Sequence, residues 1–565
     1  MSILTRKRAV LVRSESVSGT DSLASLTATQ RKAYAVLASD MSVQASRETT
    51  PQPNTSGTLS PELALVGVAS GTVELGLQLR GSGSTSRDPE WVEPLKACGL
   101  QKGTATLLAA TTIRYFTTPP TTAAGGRFIR GEQIYGANTL ASATWDSVLD
   151  SGNGLGTTPS VGDTFIAFAD TSSESSPVCS GTIAAISGTT ITLRVTDGAG
   201  RVKSGYFLRT NAASGGALRG YMDVTNDQPV LILLDESHDH GANTASLWGY
   251  VAQGTFANSM ICIGQQNGVL TTLAGSSAVT AAGAYLRPDS ERTVTFTVGA
   301  WSGATPVAGD EIIKQNAPGR WLAAGQVLAV DGSTLTVRVY YGSFASGDVI
   351  YQSVTLSSAT LSSSQATGRG SSVTIWDAVD GFLRGFTGAR GTAEINLQAG
   401  APGTVRCSFS AVPSTQTMIE PITGLSFVST QAPRWESGVA DYLGIPLRTI
   451  SAQLTFGTEV GRAPDANAAN GTLDYTIASR EPQVRWTVHR PGFTGWQLEN
   501  AIALGSWRPC GFRVGSSATN LVAVVVPRMQ LIATQDGEES GILTVDVTAR
   551  CVGIAGDDEF FLFWR

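Results

Sequence analysis

Apolar and polar residues alternate along much of the chain. From Gly71 to Arg80 the alternation puts Val73, Leu75, Leu77 and Leu79 on one face of a half-buried strand. Residues 8–13 read as a first strand. Leu521–Ala533 and Gly541–Cys551 flank the polar stretch Thr534–Ser540 and predict a long hairpin. In its second strand Leu543, Val545, Val547, Ala549 and Cys551 share one face, which makes it a candidate assembly strand. Helical spacing is best at Trp91, Leu95 and Cys98. Asp88 is placed to cap that helix, Pro89 to open it and Gly99 to end it, while Pro94 predicts a kink or split. A helix this short must lie on a sheet, and Trp91, Leu95 and Cys98 are the expected packing residues. Residues 14–60 carry little pattern beyond a short helix or strand at Ala33–Ala38. They read as an arm that is mobile or becomes ordered against a partner.

The middle of the chain repeats itself. Gly181–Val195 aligns with Gly325–Val339, with seven of fifteen positions identical. Each copy reads as strand, tight turn, strand, with Ser187-Gly188 and Asp331-Gly332 supplying the positive φ that a hairpin needs. A Gly-Asp step precedes each copy, at Gly162-Asp163 and Gly309-Asp310. Two copies are too few for a solenoid, so two small β-barrels or sandwiches are expected. The resulting division is 1–115 (with the arm at 14–60), inserted β-domains at 116–265 and 266–371, and 372–565.

Composition fits an all-β chain with one or two short helices. Of 565 residues, 42% are apolar, only 15% are charged and 63 are glycine, which suits many short strands and turns. The net charge is −6, and the 39 basic residues are scattered, which argues against a protein that grips nucleic-acid phosphates. The six cysteines form no CxxC pair, so buried, reduced thiols are favoured over a zinc site or a disulfide framework. The apolar stretch before Arg13 is too short for a signal-peptide core, and the longest apolar run, near Leu521–Pro527, is far too short to span a membrane. No membrane anchor is expected.

Candidate chemistry is sparse. Asp235-Glu-Ser-His-Asp-His240 could offer His238 and His240 to a divalent metal from one face of a strand, but no third ligand is indicated. A solvated loop after Val230–Leu234 is the favoured reading. Asp465–Gly471 lacks the acid spacing and closing Glu of a calcium loop and reads as a turn. GxSxG, phosphate-loop, dinucleotide and HExxH motifs are missing, and no catalytic or cofactor-binding residue is assigned. Nothing in the sequence supports an enzyme.

Several segments together resemble the major tail tube proteins of siphophages. They are the basic first strand with Glu15–Asp21, and Leu77–Gly83 leading into Pro89–Gly99. Further along come Ser372–Thr392 with its Asp-Gly turn, and Leu454–Val460 with Asp474–Arg480. The last is the closing Leu543–Cys551 strand with Asp557–Phe560. The resemblance covers the two ends of the chain and leaves 116–371 as inserted decoration. It implies a tail-tube-like β-sandwich that packs into rings, usually of six, which stack into a tube. Partners would be copies of itself, other tail proteins, and genome DNA passing through the bore without specific binding. The place would be the virion tail, assembled in the host cytoplasm. The rival reading is a fibre or adhesin made of tandem β-domains, which would form a row of independent units. A polysaccharide hydrolase would need two acids facing across a cleft, and the sequence places none so.

Overall fold

The computed structural model describes residues 8–50, 65–84, 87–114, 128–136, 140–145, 161–168, 179–187, 190–197, 207–211, 219–223, 229–239, 244–258, 260–264, 270–317, 320–368, 370–414, 416–420, 422–428, 430–436, 440–442, 445–446, 448–464, 471–490, 498–517, 519–554 and 556–565. The protein is all-β, and its helices among the described residues are short, such as α1 (Ala28–Arg31) and α2 (Val92–Lys96).

Segments from both ends of the chain build one curled sandwich. Its strands are β1 (Arg8–Ser14), β2 (Ala38–Thr50), β3 (Leu65–Gln78), β4 (Val373–Val379), β5 (Phe382–Gln398), β6 (Thr404–Pro413), β7 (Thr449–Thr455), β8 (Gln483–His489), β9 (Trp507–Ser517), β10 (Asn520–Glu539), β11 (Ile542–Cys551) and β12 (Phe561–Trp564). Neighbours run β2-β3-β6-β5-β7-β8-β11-β10-β9, all antiparallel. The first part of β5 pairs instead with β4, which carries β1. The alternation read at 73–79 is what the core uses, since Val73, Leu75, Leu77 and Leu79 are all buried.

The α2 turn plugs this core. Trp91, Leu95 and Cys98 are fully buried in the sandwich cluster, and the Trp91 ring meets Trp564 edge-on at 5.2 Å. Two expectations about its ends need correction. Asp88 does not cap, because its carboxylate takes the Lys102 ammonium and the N-cap position falls on Trp91. Pro94 introduces no kink, because it sits in the first turn, where its missing N–H has no helical partner to lose. Gly99 ends the turn at φ +84.

The segment after β1 is not a featureless arm. Residues 15–36 fold back on β1 and β4 through side-chain acceptors, and Ala38–Thr50 forms a 13-residue strand on β3. Its polar sequence hid the strand, because so little of it is buried.

Two closed barrels of six strands each carry the sequence repeat, over Leu140–Asp223 and Arg292–Gly368. Both close in the same order: the first strand pairs with the fourth, then third, second, fifth and sixth, and the sixth returns to the first. The rings are shorter than the blocks 116–265 and 266–371. The residues left over, together with Leu100–Arg114 from the 1–115 block, build a third ring with that same order, from Leu100–Arg114, Gln133–Gly136, Val230–Asp239, Thr244–Gln253, Ile261–Gly264 and Leu270–Leu273. The Leu140–Asp223 ring is therefore inserted between the second and third strands of another ring.

One hydrogen-bond signature marks all three. Gly131, Gly162 and Gly309 have φ of +84, +98 and +99, each followed by an acidic residue. Each glycine N–H donates to a third-strand carbonyl (Leu233, Ile183, Val327), whose own N–H donates back to the acidic residue's carbonyl, at 2.7 to 3.0 Å. A residue with a Cβ is strained in that backbone region.

The third ring is welded to the sandwich. Ile232, Leu234, Trp248 and Tyr285 pack on Leu521, Ala523, Val525, Phe561 and Phe563, while Val522, Val524 and Val526 face the sandwich core. This explains the unbroken apolar run in β10, which is buried on both faces. We expect Trp91→Ala to lower stability by about 3–5 kcal/mol. Leu543→Ala should change it by less than about 1 kcal/mol. Equal losses in urea unfolding would contradict this assignment of the core.

Candidate assembly surface

Strand β2 is the exposed border of the sandwich. Among the described residues it pairs with β3 alone, and nearly all of Ser42–Thr49 is exposed. Beyond Gly71, residues 65–70 of β3 have β2 as their one strand neighbour among the described residues, so this two-stranded part runs about 20 Å past the last β6 pair. An open edge of this length carries backbone donors and acceptors that a second strand can satisfy.

The sheet face turned away from the core is polar and charge-balanced. Register sets Gln78, Thr404, Asn396, Gln453, Arg485 and Thr548 in one row across six strands. The next row places Arg406 opposite Glu394, and then Thr455, Gln483 and Arg550. Thr487 donates to Asp546 at 2.6 Å, and Gln453 and Asn396 both donate to Glu394. Part of this face is a cleft of about 1010 Å³ between β5, β7, β8, β11 and β10. Its polar lining is hydroxyls and amides with one arginine and one aspartate, set among apolar residues such as Leu397, Pro402 and Trp486, so it gathers no excess of either charge.

The residues singled out from sequence separate into two environments. Trp91, Leu95 and Cys98 lie together in the core. On β11, Val545, Val547 and Ala549 are buried, whereas Leu543 is 52% exposed near the hairpin tip. Both edges of β11 are paired within the chain, by β8 and β10, so this strand offers no edge to a neighbour. The hairpin turn is also tighter than Thr534–Ser540. Strand pairing continues to Glu539, and Ser540 and Gly541 alone take positive φ. The edge that is open, β2, gave no hydrophobic signal.

Asp235 corrects the solvated-loop reading of 235–240. It lies inside a strand, fully buried, where Arg130 (also fully buried) holds it at 2.9 Å and Arg565 and Arg513 approach to 3.4 and 3.7 Å. Burial, with Arg513 and Arg130 alongside, holds the Arg565 guanidinium below its usual range, and its Cζ lies over the Trp248 ring, 3.8 Å from the centroid. These charges clamp the third ring to the sandwich. The side chains of His238 and His240 lie outside the described residues, as does the 465–470 loop. Among the described residues no group of three metal-ligating side chains comes together. Cys98, Cys262, Cys407, Cys510 and Cys551 are buried free thiols, and burial pushes the Cys262 and Cys551 thiols up.

Glu15 forms a second buried polar knot. Its carboxylate accepts from the N–H groups of Gly19 and Gly388 and from the hydroxyls of Ser372 and Thr374. Burial nevertheless raises its pKa above the ordinary value, because four neutral donors do not replace water.

No protein-family model matches the chain, and no curated protein sequence matches it.

Asp235→Ala removes the buried carboxylate that faces three arginines, so it should cost about 3–5 kcal/mol in chemical unfolding, with loss under about 1 kcal/mol counting against the clamp. For Glu15 the raised pKa means that the native state binds the proton more tightly. Its contribution is therefore fullest below the unfolded pKa and is lost as pH rises through the folded one. Relative to Glu15→Gln, the wild type should gain stability as pH falls from neutrality toward 4.5. A pH-independent difference between the two would refute that linkage.

Proposed function

We propose that this protein is a structural subunit of a siphophage-type tail tube. Copies would join side by side into rings, six per ring as the resemblance implies, and the rings would stack around a bore that passes DNA. The observation that carries this reading is the sandwich sheet built from both ends of the chain, ending in the open strand β2 and showing a neutral polar face. Ring closure would satisfy the backbone groups of β2 on a neighbour and remove an edge that otherwise invites aggregation. A face of hydroxyls, amides and paired charges would let phosphates slide, where clustered arginine would hold them. The strand Val279–Pro288 pairs both with Leu100–Arg114 of the third ring and with β12 of the sandwich, and this sharing disfavours a row of independent adhesin domains.

The test is negative-stain microscopy of concentrated full-length protein. Rings or hollow polymers are expected. Ser42→Lys with Gln44→Lys, both on the exposed edge, should abolish them while leaving the unfolding transition unchanged. A wild-type protein that stays monomeric at every concentration overturns the proposal.

A further inference from the structure

The rings are fixed to the rest of the chain in different ways. The third ring shares an apolar layer with the sandwich. The Arg292–Gly368 ring does not: its buried cluster, from Val294 and Phe296 to Leu361, draws on no residue outside the ring. Its sixth strand approaches Leu100–Arg114, and it joins its neighbours through two short linkers. The entry linker follows Asp289, whose N–H bonds the Gly99 carbonyl, and the exit runs through Gly370 and Ser371 into β4. A body with its own core on two adjacent linkers pivots about them unless side chains hold the linkers still.

Both linkers are held, and from one element. On the exit side, the carbonyls of Gly370 and Ser371 each accept from the Arg390 guanidinium at 3.0 Å. Arg390 is buried, and Asp474 pairs with it at 2.8 Å. On the entry side, Ser290 donates its hydroxyl to the Asp557 carboxylate at 2.7 Å, and Arg287 donates to the Asp557 carbonyl at 3.0 Å. Arg480 pairs with Asp557 at 3.0 Å and with Glu559 at 2.9 Å. Asp474 and Arg480 belong to the same strand, Thr472–Arg480. Among the described residues that strand pairs only with Thr458–Pro464, in a two-stranded sheet separate from the sandwich.

We infer that the Thr458–Arg480 hairpin is a clamp that sets the orientation of the Arg292–Gly368 ring. It grips the exit through Asp474 and Arg390 and the entry through Arg480 and Asp557. The grip is polar and lies at the hinge, so loosening the entry half lets the ring pivot while both cores stay closed. This concerns a single copy of the chain and goes beyond the self-assembly reading.

The test uses full-length protein, dilute enough to be monomeric, with spin labels on non-canonical residues at two exposed positions, Val354 of the ring and Leu504 just before β9. Pulsed electron resonance should give one narrow distance distribution for the otherwise wild-type chain. Asp557→Gly removes the entry grip and suits the backbone there, which has φ +57. It should broaden the distribution and speed hydrogen exchange at 290–291 about tenfold or more. The ring-core amides of Val294, Leu335 and Val337 should exchange as in wild type. Asp557→Asn keeps an acceptor for Ser290 but no charge for Arg480, and should fall between. A broad distribution in wild type, or a narrow one in Asp557→Gly, overturns the clamp. Equal acceleration of the ring-core amides overturns it too, since that is unfolding and not pivoting. If Asp557→Gly does not fold, Ser290→Ala must show the broadening, and a narrow distribution there sinks the inference.

Discussion

The structure depends on one long-range pairing, that of β3 with β6, which joins residues more than three hundred positions apart into adjacent strands. The entropy of closing so long a loop grows only slowly with its length, so the inserted residues do not forbid it. What they must do is leave and return at neighbouring points. The ring topology meets this requirement, because the first and sixth strands of each ring pair with each other. Entry and exit therefore lie side by side, and the chain can pause its sandwich, build a ring and resume. The same property lets one ring sit inside another.

The junction between third ring and sandwich is where charge is buried most deeply. A carboxylate with Arg130 in full burial adds little over an apolar contact in net stability, since both ions lose their hydration. Its effect is on geometry. Arg130 comes from the glycine turn and Asp235 from a ring strand, so that pair travels with the ring, whereas Arg513 from β9 and Arg565 from just beyond β12 reach Asp235 from the sandwich and would be drawn off it by a shift of ring against sandwich. The apolar layer alone, Trp248 and Tyr285 against Phe561 and Phe563, would tolerate sliding.

The sequence was legible where a side-chain pattern and a backbone requirement coincide. Val73 to Leu79 alternate because one face is core, and Gly162 and Gly309 recur because the turn demands positive φ. Legibility failed where one of the two was missing. Strand β2 has the backbone of a strand but buries almost nothing, so no alternation marks it. The third ring keeps Gly131-Glu132, but a whole ring separates its second and third strands, and its long hairpin no longer resembles Gly181–Val195. Asp235 looked like the start of a solvated loop because its partner Arg130 is remote in sequence. Leu543 looked like its neighbours because periodicity cannot tell where a strand outruns the core.

Adjacent entry and exit points also bear on how such a chain can change over generations. A segment whose two ends touch can be gained, lost or exchanged as a cassette without altering the register of the host strands. Length variation in this architecture should therefore come in whole-ring steps, with the sandwich conserved in size while its attachments turn over.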